Sequence, residues 1–278
     1  MKQYHKTVVI VVVAVVVALA IYKNLEKHRE IAQAPSTNTE QRNADMLADE
    51  TGVEITEQAD VNYYGKAKGF YAAPADITKP YPGVVMVHEW WGLNDYIKDM
   101  ARQLAKQGYQ VLAVDMYSGE VAADATRAGQ LAGGVRGDVP EANKNLRAAV
   151  EYLREQKASK IASLGWCFGG GQSLNLALSG EKLDATVIYY GNVTDDKTQL
   201  AKITWPVLGV FGDKDTAIPV EGVRKFDAAL DELKVNNDIN IYPGVGHAFA
   251  NPSGMNYAAS ETKDAWGKTL AFLAKYLK

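Results

Sequence analysis

Thiols are nearly missing from this chain: Cys167 is its one cysteine, which excludes an intrachain disulfide and a two-cysteine redox centre and argues against a cysteine-based zinc site. Histidine is almost as scarce. Four occur, and His5 and His28 sit in the N-terminal stretch set apart below, so only His88 and His247 can bring an imidazole to the body of the chain. Neither sign of charge predominates, since 30 Lys and Arg against 33 Asp and Glu leave a net charge of −3, and basic residues are scattered among acidic ones. That excludes a polyanion groove and with it a nucleic-acid partner. There is no internal repeat, and the glycine-rich run at 165–171 lacks the Lys-Ser/Thr ending of a phosphate-cradling Walker loop. Nothing in the pattern calls for a metal or an organic cofactor.

Residues 7–22 form an almost unbroken Val/Ala/Ile/Leu run, preceded by Lys2, His5 and Lys6. As a helix it would be about 24 Å long, slightly short of a bilayer's hydrocarbon core, with Tyr4 and Tyr22 at the interfaces. The expectation is an N-terminal membrane-anchor helix over 1–22, with the body on the outer, extracytoplasmic face. The rival is a signal peptide cleaved near Ala32-Gln33-Ala34, which would release a secreted protein; the charged residues between that site and the apolar run count against it. Residues 23–60 are polar and read as a tether, so the folded body is expected over 61–278. A monomer is the default expectation.

Within the body, short apolar runs alternate with longer amphipathic ones. Strands are expected at 83–88, 110–115, 160–164, 185–190, 206–211 and 239–242; helices at 96–107, up to 133, and over 141–156, 168–178, 219–233 and 257–276. Val84 to Val87 and Val207 to Phe211 are apolar at every position, as parallel strands buried between two helix layers must be. The fold class predicted is α/β: a doubly wound, mostly parallel sheet with helices on both faces. Function is then sought immediately after the strands, at their carboxyl ends.

One such position stands out. Gly165-Trp166-Cys167-Phe168-Gly169 reads as a nucleophile elbow, a strained strand-to-helix turn whose central residue projects above the sheet and whose neighbours two positions away must lack bulk. The N-terminus of the following helix favours negative charge on the sulfur. A thiol nucleophile needs an imidazole, and the imidazole needs a carboxylate. His247, in the loop after the last strand with Gly244 and Gly246 just before it, is the better base, and His88 reads as a strand-end histidine satisfied by backbone. Asp213 and Asp215 compete for the carboxylate; Asp215 has the loop position that can reach across, whereas Asp213 suits a turn cap.

The order Cys167, Asp215, His247 is that of α/β-hydrolases. With His-Glu-Trp-Trp-Gly-Leu-Asn at 88–94, Gly-Trp-Cys-Phe-Gly-Gly at 165–170, Asp-Thr-Ala-Ile-Pro at 215–219 and Gly-His-Ala-Phe at 246–249, the chain resembles the dienelactone hydrolase family from about residue 61 to its end. The resemblance implies an α/β-hydrolase fold in which Cys167 attacks an ester or lactone carbonyl, His247 shuttles the proton and Asp215 orients the ring. It also implies that backbone N–H groups of Phe168 and Trp90 form an oxyanion hole, and that Glu89 hydrogen-bonds the resting thiol and moves aside on substrate binding. Where dienelactone-cleaving relatives carry an arginine four residues after the histidine, this chain has Asn251, which lacks the positive fork that a carboxylate pairs with. Arg127 could replace part of that charge, and Tyr190 and Trp91 suggest pocket walls.

The function expected is hydrolysis of small carboxylic esters or lactones through an acyl-thioester. Thioester hydrolysis or acyl transfer by the same three residues is the alternative within enzymes. A membrane-tethered thiol sensor is the alternative outside them, although a sensor needs neither His247 nor Asp215.

Overall fold

The computed structural model describes residues 53–76 and 78–278. Eight strands form one sheet in the order β1-β2-β4-β3-β5-β6-β7-β8: β1 (Ile55–Asn62), β2 (Lys68–Pro74), β3 (Gly83–Val87), β4 (Gln110–Val114), β5 (Ile161–Trp166), β6 (Ala185–Tyr189), β7 (Val207–Gly212) and β8 (Asn237–Tyr242). β1 and β2 run antiparallel at one edge, and the remaining six strands are parallel. The helices are α1 (Asp95–Lys106), α2 (Ala125–Gly137), α3 (Val139–Glu155), α4 (Phe168–Leu178), the single turn α5 (Lys197–Leu200), α6 (Val220–Glu232) and α7 (Ala259–Leu277).

Strand periodicity decides which layer each side chain enters. Val85 and Val87 of β3 join Leu112 and Val114 of β4 in a core closed by Leu146 and Val150 of α3, Leu174 of α4 and Phe226 of α6. The intervening Val84, Met86, Val111 and Ala113 enter a second core with Ile97 and Leu104 of α1 and Trp266 and Leu273 of α7. Every residue of β3, β4, β5, β6 and β7 is buried, which is why these strands are predominantly apolar; the polar exceptions Gln110, Ser163 and Thr186 are hydrogen-bonded.

β3 connects through α1 to β4 on one side, and the chain then returns to place β5 on the other. The strand order therefore reverses at β3, and such a switch point opens a crevice at the carboxyl ends of the strands. Glu89 follows β3 and Cys167 follows β5, its neighbour in the sheet.

One part of the fold-class expectation is corrected. Among the described residues no helix is long and apolar enough to cross a membrane, so what they form is an α/β-hydrolase sheet with no membrane-anchor helix among them. The segment 1–22 from which that expectation came lies outside the described residues, as does most of the stretch read as a tether. β1 begins at Ile55, within that stretch; its sequence ITEQADVN is exposed at most positions, because an edge strand presents little surface to the core.

Candidate active site

The turn at Cys167 is built by exclusion of side chains. A Cβ on Gly165 would lie 2.2 Å from the carbonyl oxygen of Gly169, and one on Gly169 would lie 2.3 Å from that of Val87. Helix α4 can therefore start directly over β5 only if both positions are glycine. Between them Cys167 holds φ 54° and ψ −115°, a sparsely populated positive-φ conformation costing a non-glycine residue roughly 1–3 kcal/mol. Its N–H donates to Tyr189 O at 3.0 Å, and its own carbonyl accepts from Gly171 N–H at 3.2 Å. The strained angle is thus fixed from the neighbouring strand and from the helix.

His247 and Asp215 arrive from loops after β8 and β7. His247 Nε2 is 3.0 Å from Cys167 Sγ, and its Nδ1–H donates to Asp215 Oδ2 at 2.8 Å. The Asp215 side chain is fully buried, whereas that of His247 is 26% exposed. Asp215 Oδ1 accepts from the N–H groups of Ala217 and Ile218 at 2.8 and 2.9 Å, so one oxygen is anchored to the loop and the other is left for the ring. Burial disfavours the imidazolium, yet the hydrogen bonds to Asp215 and Cys167 outweigh it and push His247 up to about 10. Asp213 instead accepts from Gly244 N–H at 2.7 Å, bracing the loop that carries His247.

Glu89 is buried within electrostatic reach of His247. Its Oε2 accepts from Asn251 Nδ2 at 2.5 Å, while its Oε1 has no hydrogen-bond partner. The resemblance implied a Glu89 bond to the resting thiol; here the thiol's partner is His247 and the carboxylate's is Asn251. Burial drives Glu89 up to about 7, against the opposing pull of His247, Asn251 and the Tyr190 hydroxyl. That hydroxyl is close enough to act on the carboxylate but is itself buried without meeting hydrogen-bond geometry. The Tyr190 ring packs edge-on against His247, with centroids 5.4 Å apart.

The remaining positions divide. Phe168 opens α4, where a helix N–H has no intrahelical partner, and Trp90 lies in the turn closed by Gly92 N–H on Glu89 O at 3.3 Å. Trp91 packs edge-on against Trp90 at 5.1 Å. Arg127 is not free for a substrate: its guanidinium forms two hydrogen bonds to the Glu120 carboxylate, at 2.6 and 2.7 Å, which is the surface role that an arginine at the start of an exposed helix most often has. His88 is fully buried and pushed down to about 4 by desolvation; its Nδ1–H donates to Glu89 O at 2.5 Å and its Nε2 accepts from Met116 N–H at 3.2 Å. Sequence reasoning missed Tyr117 and Ser253. Tyr117 donates to Trp90 O at 3.2 Å, and Ser253 fixes the Asn251 amide; neither lies in a motif that could have marked it. Among the described residues no group of three or more His, Cys, Asp or Glu side chains is arranged to hold a metal ion.

Known proteins resemble this chain over most of its length. The family model described as "Dienelactone hydrolase family" matches residues 67–277. A Bradyrhizobium protein described as "Probable 2-oxo-3-(5-oxofuran-2-ylidene)propanoate lactonase" is 31% identical over 78% of this chain and 93% of its own length. Protein usf of Aquifex pyrophilus is 29% identical over 76% of this chain and 94% of its own. Among solved structures, a dienelactone hydrolase-like promiscuous phosphotriesterase from metagenomic libraries superposes with a TM-score of 0.73 at 26% identity, covering 81% of this chain and 99% of that one.

Proposed function

Because this chain belongs to the dienelactone hydrolase family and is an ester or lactone hydrolase, we propose that it cleaves small carboxylic esters or lactones through Cys167, His247 and Asp215, by way of an acyl-thioester. In acylation Sγ, its proton held on His247 Nε2, bonds to the carbonyl carbon. The negative charge that develops on the carbonyl oxygen meets the N–H groups of Phe168 and Trp90, donors of a kind each worth about 10²–10³ in rate. Collapse breaks the bond to the alcohol oxygen, which takes the proton back from His247. Water then loses a proton to the same nitrogen, its oxygen bonds to the acyl carbon, and the C–S bond breaks to free the acid and restore the thiol.

The observation that carries this reading is the strained, positive-φ Cys167 on the turn between β5 and α4 with its sulfur 3.0 Å from the His247 ring. A sulfur confined to the core would need neither the strained angle nor the polar partner. The test uses initial rates on short-chain aryl esters and small lactones. Cys167→Ala is expected to lower kcat on the order of 10⁴-fold or more, as removal of a nucleophile does in related triads, and mass spectrometry of the native protein should trap an acyl adduct on Cys167. Wild-type rates from Cys167→Ala would sink the assignment.

A further inference from the structure

Glu89, a buried carboxyl beside the Cys167–His247 pair, is held by a side chain whose own orientation is fixed. Asn251 Oδ1 accepts from both the N–H and the hydroxyl of Ser253, at 2.9 and 2.7 Å. The amide therefore cannot turn over without losing both bonds, and its Nδ2 must face Glu89, to which it donates at 2.5 Å. The loop is tightened at the same place by Asn251 N–H on Ala248 O at 3.0 Å and Gly254 N–H on Asn251 O at 2.9 Å. Asn251 is itself 6% exposed, so water does not compete for the amide.

We infer that Asn251, locked by Ser253, is a positioning residue that keeps the Glu89 carboxylate away from Cys167, so that the sulfur is paired with His247 before any substrate arrives. A carboxylate free to turn toward the sulfur would interfere in either of its states. Ionised, it would repel a sulfur anion and compete for the charge of His247; protonated, it would donate to the sulfur and blunt its nucleophilicity. The groups that face Glu89 are Asn251, His247, Tyr190 and Tyr96, and burial followed by the Glu89 charge keeps the two tyrosine hydroxyls protonated. Only Asn251 among them meets the carboxylate in hydrogen-bond geometry. The absence of a partner for Oε1 means that one bond decides where the side chain rests.

The inference rests on the sulfur being the reactive group, but its test reads thiol reactivity and not turnover of any substrate. Alkylation of Cys167 by iodoacetamide is followed in the substrate-free full chain across pH, for wild type, Asn251→Ala, Ser253→Ala and the double variant Asn251→Ala with Glu89→Gln. Asn251→Ala is expected to slow alkylation near neutral pH about tenfold, the change produced by one hydrogen bond to a charged group, and Ser253→Ala to slow it less. Neutralising Glu89 in the double variant should restore the wild-type rate, which repair of a merely loosened loop would not do. Equal rates for wild type and Asn251→Ala, or no recovery in the double variant, would overturn the inference. If alkylation responds as expected while no ester or lactone is turned over, the hydrolytic reading fails and the positioning role stands.

Discussion

Cys167 and Glu89 carry the largest local costs of the site, one in backbone conformation and the other in desolvation. Replacing the thiol by Ala leaves the φ of 54° unrelieved, so Cys167→Ala should unfold at nearly the wild-type temperature even as it loses turnover. Glu89 is held up to about 7 against an ordinary value of 4.5, chiefly by burial. Below 4.5 the folded and unfolded chains both keep the proton and the contribution to stability is whole. As pH rises from there toward 7 the unfolded chain gives up its proton first, so stability declines, on the order of 3 kcal/mol in all. His247, raised from 6.5 to about 10, keeps its own contribution whole below 6.5 and loses it only as pH climbs toward 10. Urea unfolding of wild type and Glu89→Gln between about pH 5 and 6.5 isolates the carboxyl; the variant should show a flatter dependence, and parallel curves would refute the burial argument. Cys167, Asp215 and His247 were legible as residues because motif spacing names them. The pairing of Glu89 with Asn251 was not, since 162 positions separate the two and an amide four residues after a histidine carries no sign of its partner.

Two elements of similar glycine content behave oppositely. At the β5–α4 turn, glycine is required by contact: Gly165→Ala would drive a Cβ to 2.2 Å from a backbone oxygen, and since neither side can yield, a loss of about 3 kcal/mol or more and of activity is expected. Helix α2 contains Gly129, Gly133, Gly134 and Gly137, and a Cβ at any of them would meet nothing within 4 Å. There Gly133→Ala should stabilise the fold by about 0.5–1 kcal/mol, by reducing the entropy of the unfolded chain. Thermal unfolding of the two variants checks both signs. The helices and the buried parallel strands follow their expected positions closely, because a two-sided core imposes continuous apolarity and a helix imposes its own period. β1 and β2 were missed. They pair antiparallel at the sheet edge, where β1 buries only Val61, and its polar sequence offered no period to read. The turn α5 rests on Asp196 capping Thr198 and Gln199, too short a device to register.

At the scale of the whole sheet, β1 is the edge that shields β2. A chain beginning at residue 53 keeps the β1–β2 ladder and the Arg102–Glu57 ion pair at 2.6 Å. One beginning at residue 63 loses both and leaves the backbone groups of β2 open for pairing with another molecule. The shorter chain should unfold at lower temperature and associate in sedimentation as concentration rises; identical behaviour would mean that the edge strand contributes nothing. The site is also a property of the whole sheet. Its groups come from the carboxyl ends of β3, β5, β7 and β8, and they meet because parallel strands all end on one side and the strand order reverses at β3.

By itself the sequence determined the layered α/β architecture, the glycine frame of the elbow and the identity of one nucleophile candidate with one imidazole able to serve it. Those follow from local rules of period, bulk and residue chemistry, which act over a few positions. Only the tertiary structure decided that Arg127 is taken by Glu120, that Glu89 turns to Asn251, and that a polar segment before residue 61 becomes an edge strand. Each of these depends on which of several possible partners lies within about 3 Å after folding, and hydrogen bonds and ion pairs are selected by that distance, not by separation along the chain.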